Sequence, residues 1–449
     1  MSTSRSRTQP RPAGRGAGRP SPSPASTGVA AGSGPIEVWV LLGGVATQAG
    51  FVYSHRRGRT ESASFTYIGD YLAAPGAYAL DPTLPLTSGT LQTPTGMNLF
   101  GTLSDCAPDR WGRTLVKKHE AALARAEGRA TRQLGEIDYL LGVRDDLRQG
   151  ALRFRRSGGP FLAPEDHGVP ALTDLPALLD LAARAEDETA DLSDLQRLIR
   201  VGSSLGGARP KAHVRDLSGR IAIAKFPSAR SDTWDVMAWE KVALDLAHAA
   251  GVVVPPSRLL NLAGRNVVVV DRFDRSSAGE RIGYVSAMTM LEANDGDQRS
   301  YLEIADVIEQ RSLSARAELA QLWRRMAFTV LISNTDDHLR NHGFLHDGAD
   351  AWRLAPAFDL NPDPAPGPKL LSTTIDFDRD EADIAVVMEV AEQFRLDKAQ
   401  AAFVLGEVVD SVSSWRRVAG RHGLGKSAQD DMAAAFTRLG PARDLLATA

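Results

Sequence analysis

The chain has 449 residues, 43% hydrophobic and 24% charged, with 52 Lys and Arg against 55 Asp and Glu; that length suits two to three domains or lobes, and the apolar content excludes disorder for the bulk of it. A net charge of −3 does not mark a nucleic-acid or membrane surface, and no apolar run approaches the ~20 residues of a membrane helix. The single cysteine, Cys106, cannot form an internal disulfide; with no signal-peptide core at the start, a soluble cytoplasmic protein is expected.

Residues 1–34 hold Arg5, Arg7, Arg11, Arg15 and Arg19 and no acid, so a tail of +5 precedes a body of −8. The tail is otherwise mostly Ser, Pro, Gly and Ala, with too little to bury to offset its ordering entropy. It reads as a disordered, solvated basic tail rather than a nucleic-acid arm. Residues 38–42 and 50–53 look like strands, 110–145 has helical spacing, 150–154 is a strand, 158–171 a loop and 172–200 helical again. A Gly-rich turn at 202–211 leads to a strand at 221–226, whose alternation puts Ile221, Ile223 and Lys225 on one face. A helix at 233–250, closed by Gly251, precedes a buried strand at 267–270. Beyond 285 the pattern is mostly helical, apart from a strand-like stretch around 343–360.

The strongest chemical cluster is 333–345, SNTDDHLRNHGFL. An amphipathic helix with Leu319, Leu322, Trp323, Met326, Ala327, Val330 and Leu331 on one side precedes it, a rigid mount for reactive groups. Asp336 and Asn341 are five residues apart, the spacing of the catalytic Asp and the metal-binding Asn in a protein-kinase loop. Asp359, in LAPAFDLNP, follows at the end of an apparent strand; alone such a carboxylate is more often turn-forming than metal-binding, and beside Asn341 it suits Mg²⁺ better. The small-residue turn GSSLGGARPK at 202–211 offers backbone N–H groups to phosphates, or is simply a hairpin; it is not a Walker A loop. Lys225 either snorkels to the sheet edge or meets an anion. Glu240 lies inside the apolar stripe Val236, Trp239, Ala243, Leu246, Ala247 and Ala250, where a carboxylate is costly unless paired, and Lys225 is the natural partner. His338, His342 and His346 fall at i, i+4, i+8, but Gly343 breaks any helix there and no HExxH motif is present, so zinc is disfavoured. Cys106 reads as a packed thiol.

Taken together, Gly-rich turn, Lys225, Glu240, Asp336, Asn341 and Asp359 stand in kinase order. With APDRWGR (107–113), DYLLGV (138–143), GALRF (150–154), SSLGGARPK (203–211), VDRFDR (270–275), SYLEIA (300–305) and NTDDHLRN (334–341), the sequence resembles the HipA family, the serine/threonine-kinase toxins of bacterial type II toxin–antitoxin modules. The resemblance implies an α+β, two-lobed protein-kinase-like fold with an extra N-terminal subdomain and an all-helical C-terminal lobe. The expected division is a tail at 1–34, the subdomain at 35–145, the N-lobe at 146–275 and the C-lobe at 276–449. It implies ATP and Mg²⁺ as cofactors, Asp336 as catalytic base, and Asn341 and Asp359 as metal ligands. It places Gly202, Ser204, Gly206, Gly207, Lys211, Lys225, Glu240, Asp271, Phe273 and His338 at the nucleotide, Asp271 and Phe273 at the adenine hinge. Autophosphorylation is expected at Ser204 or Ser203. Implied partners are a small helix-turn-helix, HipB-like antitoxin, through which alone DNA is reached, and a protein substrate such as an aminoacyl-tRNA synthetase. Arg209-Pro210 departs from the family's more usual polar pair, and the basic tail lies outside the resemblance. Two rivals remain: a small-molecule kinase on the same scaffold, and a catalytically idle corepressor of a DNA-binding antitoxin.

Overall fold

Alternating apolar residues build the first sheet. Strands β1 (Ile36–Leu42), β2 (Val45–Arg57), β3 (Thr60–Tyr67), β4 (Thr90–Gln92) and β5 (Arg153–Arg156) run in the order β4-β3-β2-β1-β5, antiparallel throughout. Val38, Val40, Val52, Phe65 and Phe154 are buried on its inner side. Gly43 and Gly44, at φ +54° and +82°, form the two-residue turn between β1 and β2; a positive φ at both centres is the conformation that turn demands. The computed structural model describes residues 34–58, 60–162, 168–202 and 207–448. The expectations for Ser203, Ser204, Gly206 and the basic tail through residue 33 lie outside the described residues.

A second antiparallel sheet, β6 (Lys211–Arg215), β7 (Ile221–Lys225), β8 (Ser257–Leu262) and β9 (Arg265–Asp271), has the order β6-β7-β9-β8. Three helices, α1 (Arg110–Ala126), α2 (Leu175–Glu186) and α3 (Leu192–Gly202), cover one face of it. Trp111, Leu115, Leu178 and Leu198 there pack with Ala212, Ala222, Ala224, Val267 and Val269 into a separate core. The alternate residues Val268 and Val270 point the other way and join the main core with α4 (Val236–Ala249). Asp235 caps α4 by accepting from the Ala238 N–H at 3.0 Å, and Gly251 follows at φ +76°. The helix is thus two to three residues shorter at its start than the apolar spacing implied, because Asp235 is the better cap.

Helices α5 (Tyr301–Arg311), α6 (Ala315–Leu331) and α7 (Lys398–Ser413) dominate the remainder, and every residue of the expected α6 stripe is fully buried. This part is not all helix, which corrects the expectation. Strands β10 (Tyr284–Ser286), β11 (Gly343–His346) and β12 (Trp352–Leu354) form a small sheet, and Arg299–Ser300 pairs parallel with Thr373–Thr374. Buried backbone that is not helical must find other partners, and these short ladders supply them. Gly343 permits the close pairing, since a Cβ there would lie 2.4 Å from the Tyr284 ring. Among the described residues no helix is long and apolar enough to cross a membrane.

Candidate active site

Because β7 alternates, Lys225 leaves the α1–α3 side and faces α4. Its Nζ donates to Glu240 Oε1 at 2.5 Å and to Asp359 Oδ1 at 2.9 Å. Burial alone would lower the ammonium's pKa, but Asp359 and Glu240 together hold it above its ordinary value. Burial would likewise raise Asp359, yet Lys225 beside it holds the carboxyl well below the usual range. At Glu240, only 2% exposed, burial wins and pushes the carboxyl up. Asp359 has φ +60°, a conformation costly for a residue with a Cβ, and strain of this kind concentrates at functional sites.

The loop after α6 carries Asp336. Ser333 turns the chain at φ +53°, its hydroxyl donating to the Ala435 carbonyl at 2.9 Å. Asp337 then points inward, accepting from the Tyr301 hydroxyl and from Thr329 Oγ1, with His342 Nε2 3.2 Å from its other oxygen. Burial would raise this carboxyl; the His342 ring and the Tyr301 hydroxyl hold it down instead. With Asp337 anchored, Asp336 opens to solvent. Desolvation on its inner side raises its pKa, His338 opposing and Asp359 reinforcing, which places all three in one electrostatic neighbourhood. Asn341 donates its amide N–H to the Asp336 carbonyl at 2.9 Å, so its amide oxygen is the end left for a cation.

The donor set suits a hard cation. Asn361 Nδ2 donates to Asp359 Oδ1 at 3.3 Å, while Asn361 Oδ1 is buried with no hydrogen-bond partner among the described residues. His338 Nδ1 is orphaned in the same sense. Oxygens from Asn341, Asp359 and Asn361 would match in number the few ligands Mg²⁺ takes from protein when phosphates and water supply the rest. No group of three or more His, Cys, Asp or Glu gathers as a metal cage among the described residues.

Residues 203–416 match the family described as HipA-like C-terminal domain. The fold matches a chain of the Shewanella oneidensis MR-1 toxin–antitoxin complex of HipA, HipB and operator DNA, with TM-score 0.62 at 16% identity, over 91% of this chain and 97% of that one. Over residues 203–416 the chain is similar to the HipA family. Its fold is the α+β, protein-kinase-like fold expected from the sequence. A Haemophilus influenzae protein named "Putative kinase" is 26% identical over 150 residues, which is 30% of this chain and 43% of that relative. The match thus spans less than half of that relative's length.

The other expected residues are placed unequally. Gly202 closes α3 where a Cβ would lie 2.5 Å from the Lys211 carbonyl, and Gly207, at φ +106°, sits where a Cβ would come 2.8 Å from Lys211 Nζ. Lys211 stands directly across the ladder from Lys225. Its Nζ meets Asp109 Oδ2 at 2.6 Å, so each of two adjacent lysines has its own carboxylate. Phe273 packs 5.4 Å from Phe358, next to Asp359. Asp271, by contrast, is engaged by Arg258 at 3.4 Å and Arg220 at 3.3 Å, away from the lysine pair. His342 belongs to the Asp337 anchor and His346 stacks on Tyr78 at 3.8 Å, so the three histidines take separate surroundings. Burial pushes the Cys106 thiol up to about 12. Sequence reasoning missed the roles of Asp109, Tyr301 and Asp337. Asp109 had a signal, as a capping-type residue just before the Trp111 helix, but its lysine lies 102 residues away.

Proposed function

We propose that the protein is an ATP- and Mg²⁺-dependent kinase of the HipA toxin type, transferring the γ-phosphate to a serine or threonine hydroxyl of a cellular protein and so restraining growth in the cytoplasm. One observation carries the reading: the Lys225 ammonium is clamped between Glu240 and Asp359 in the same neighbourhood as the solvent-facing Asp336. Lys225 binds phosphate oxygens, with Glu240 keeping it extended toward them. Asp336 orients the attacking hydroxyl and accepts its proton. Asn341 and Asp359 hold Mg²⁺, which supplies charge neutralisation when bound. Catalysis of this kind is mainly positioning and electrostatics, which fixed side chains supply.

Ser204 or Ser203 is the proposed autophosphorylation site; a phosphate of about −1.5 to −2 charges there would compete with the nucleotide and switch the enzyme off. The proposed partners are a small HipB-like antitoxin, which would bring the complex to DNA, and an aminoacyl-tRNA synthetase as substrate. The division at 35–145, 146–275 and 276–449 is kept as the proposed domain arrangement. The test is phosphopeptide mass spectrometry of cells expressing wild type or Asp336→Ala. Wild type should yield a substrate phosphosite, phosphate in the 203–204 segment and arrested growth, and D336A none of these. Unchanged toxicity and phosphate transfer in D336A would overturn the reading.

A further inference from the structure

The hairpin between Lys369 and Ala382 is tied to the chain on both sides of Asp336. Ser372 Oγ donates to the carbonyl of Thr335 at 2.8 Å, and Thr373 Oγ1 to the carbonyl of Asp337 at 2.7 Å. Its arms are joined by Leu371 N–H to Asp380 O at 2.7 Å and Ala382 N–H to Lys369 O at 2.8 Å. Its base is fixed by the buried Lys369, whose Nζ meets Asp363 Oδ2 at 2.9 Å, while Asp363 accepts from Thr335 Oγ1 at 3.2 Å. Leu371 and Thr373 point inward and Leu370 and Ser372 outward, the alternation of an extended arm. Leu370 therefore lies about 7 Å along the arm from Ser372, on the open side.

Two properties of the hairpin stand together. It carries two exposed large apolar side chains, Leu370 at 53% and Phe377, at the tip, at 67%. Residues 370–383 also carry five acids and one base, Arg379. Arg379 is already bound by Asp376 at 2.5 Å and Glu389 at 2.6 Å. Arg438 feels the field of Glu381 and Asp383, but Glu381, across the hairpin from Leu370, and Asp378, next to Phe377 in sequence, remain exposed negative charge.

We propose that this hairpin is the docking surface for the polypeptide substrate, recognising an apolar side chain and flanking Lys or Arg residues around the acceptor hydroxyl. The proposal rests on the kinase reading and deepens it. The occupant follows from charge: an acidic, apolar strip fixed to the catalytic loop complements a basic, apolar segment and repels an acidic one. Leu370 and Phe377 carry no group that could take part in phosphoryl transfer, so their role is to hold the substrate chain.

The test uses the full-length protein, radiolabelled ATP with Mg²⁺, and a degenerate peptide library centred on Ser or Thr. Wild type should select Arg and Lys over Asp and Glu near the acceptor. The double variant D378K/E381K should lose that preference, with roughly a tenfold fall in kcat/KM for basic peptides carried by KM, while ATP hydrolysis is unchanged. L370S/F377S should remove the apolar preference alone. A library profile without basic preference, or one that D378K/E381K leaves unmoved, overturns the docking surface but not the kinase. No transfer to any peptide, with no autophosphorylation either, overturns the kinase reading and this proposal with it. Light scattering showing that L370S/F377S converts a wild-type dimer to a monomer would assign the patch to a second copy and also overturn it.

Discussion

At the residue scale the decisive group is Lys225, and its surroundings set what its removal costs. Lys225→Met would leave Glu240, 2% exposed, with no counter-charge in a site already raising its pKa. Breaking a buried pair from one side costs about 3 kcal/mol or more, whereas replacing both partners with apolar groups is close to neutral. Urea denaturation should therefore show K225M destabilised by about 3 kcal/mol and K225M/E240L restored toward wild type. Phosphate transfer should be lost in both. A double variant as unstable as K225M would place the cost at Asp359, the lysine's other carboxylate partner, instead of at Glu240. The pair was legible in the sequence because a lone carboxylate inside an apolar stripe demands a partner. The third member was not: Asp359 was expected to hold metal, and nothing in its local residues announced that it also clamps a lysine 134 positions away.

At the scale of elements, local pattern located most strands and helices but not their contacts. The stripe of α6 and the alternation of β7 were readable because burial imposes a period. The strand-like stretch around 343–360 was readable too, but the ladder at Thr373 was not, since a strand of two residues carries no period to read. Helix α1 shows another contact of this kind. Glu120, 4% exposed, accepts from Arg129 Nη1 at 2.6 Å and from the Arg132 N–H at 2.9 Å, tying the helix to the loop that follows it. These contacts, the Arg129 hydrogen bond foremost, hold its carboxyl down to about 2. An unfolded glutamate titrates near pH 4.3, so the folded state binds its proton less readily and the tie stabilises fully above that pH. The stabilisation fades as pH falls from about 4.3 toward 2. Glu120→Gln should lower stability by about 1–3 kcal/mol at pH 7. Denaturation curves of the two proteins should converge as the pH approaches about 2; a difference independent of pH would assign the effect to shape instead of charge.

At the scale of the molecule, the main core runs without a break from the first sheet through α4 and α6 to the C-terminal helices. Val268 and Val270 of β9 enter it from the second sheet, so the strand next to Lys225 shares one core with the element that mounts Asp336. The small net charge of −3 says nothing about this, and neither does length: a continuous core of residues distant in sequence is the part of the fold that periodicity cannot report. Its consequence is that ligand binding between Lys225 and Asp336 should stabilise the chain as one cooperative body. A ligand at 100 times its Kd contributes about 2.7 kcal/mol. For some 400 residues, with about 2.1 cal/mol/K of unfolding entropy each, that is a rise in Tm of about 3 °C. Thermal melts with ATP and Mg²⁺ should show this shift in a single transition. ATP with EDTA should give much less of it, and Mg²⁺ without ATP almost none, because the protein supplies only a few of the cation's ligands. Asp359→Asn should make the ATP shift independent of Mg²⁺ while retaining a residual shift from Lys225. If the full shift persists in EDTA, the oxygens of Asn341 and Asp359 do not hold the cation; if two transitions separate and only one moves, the shared core does not couple the halves.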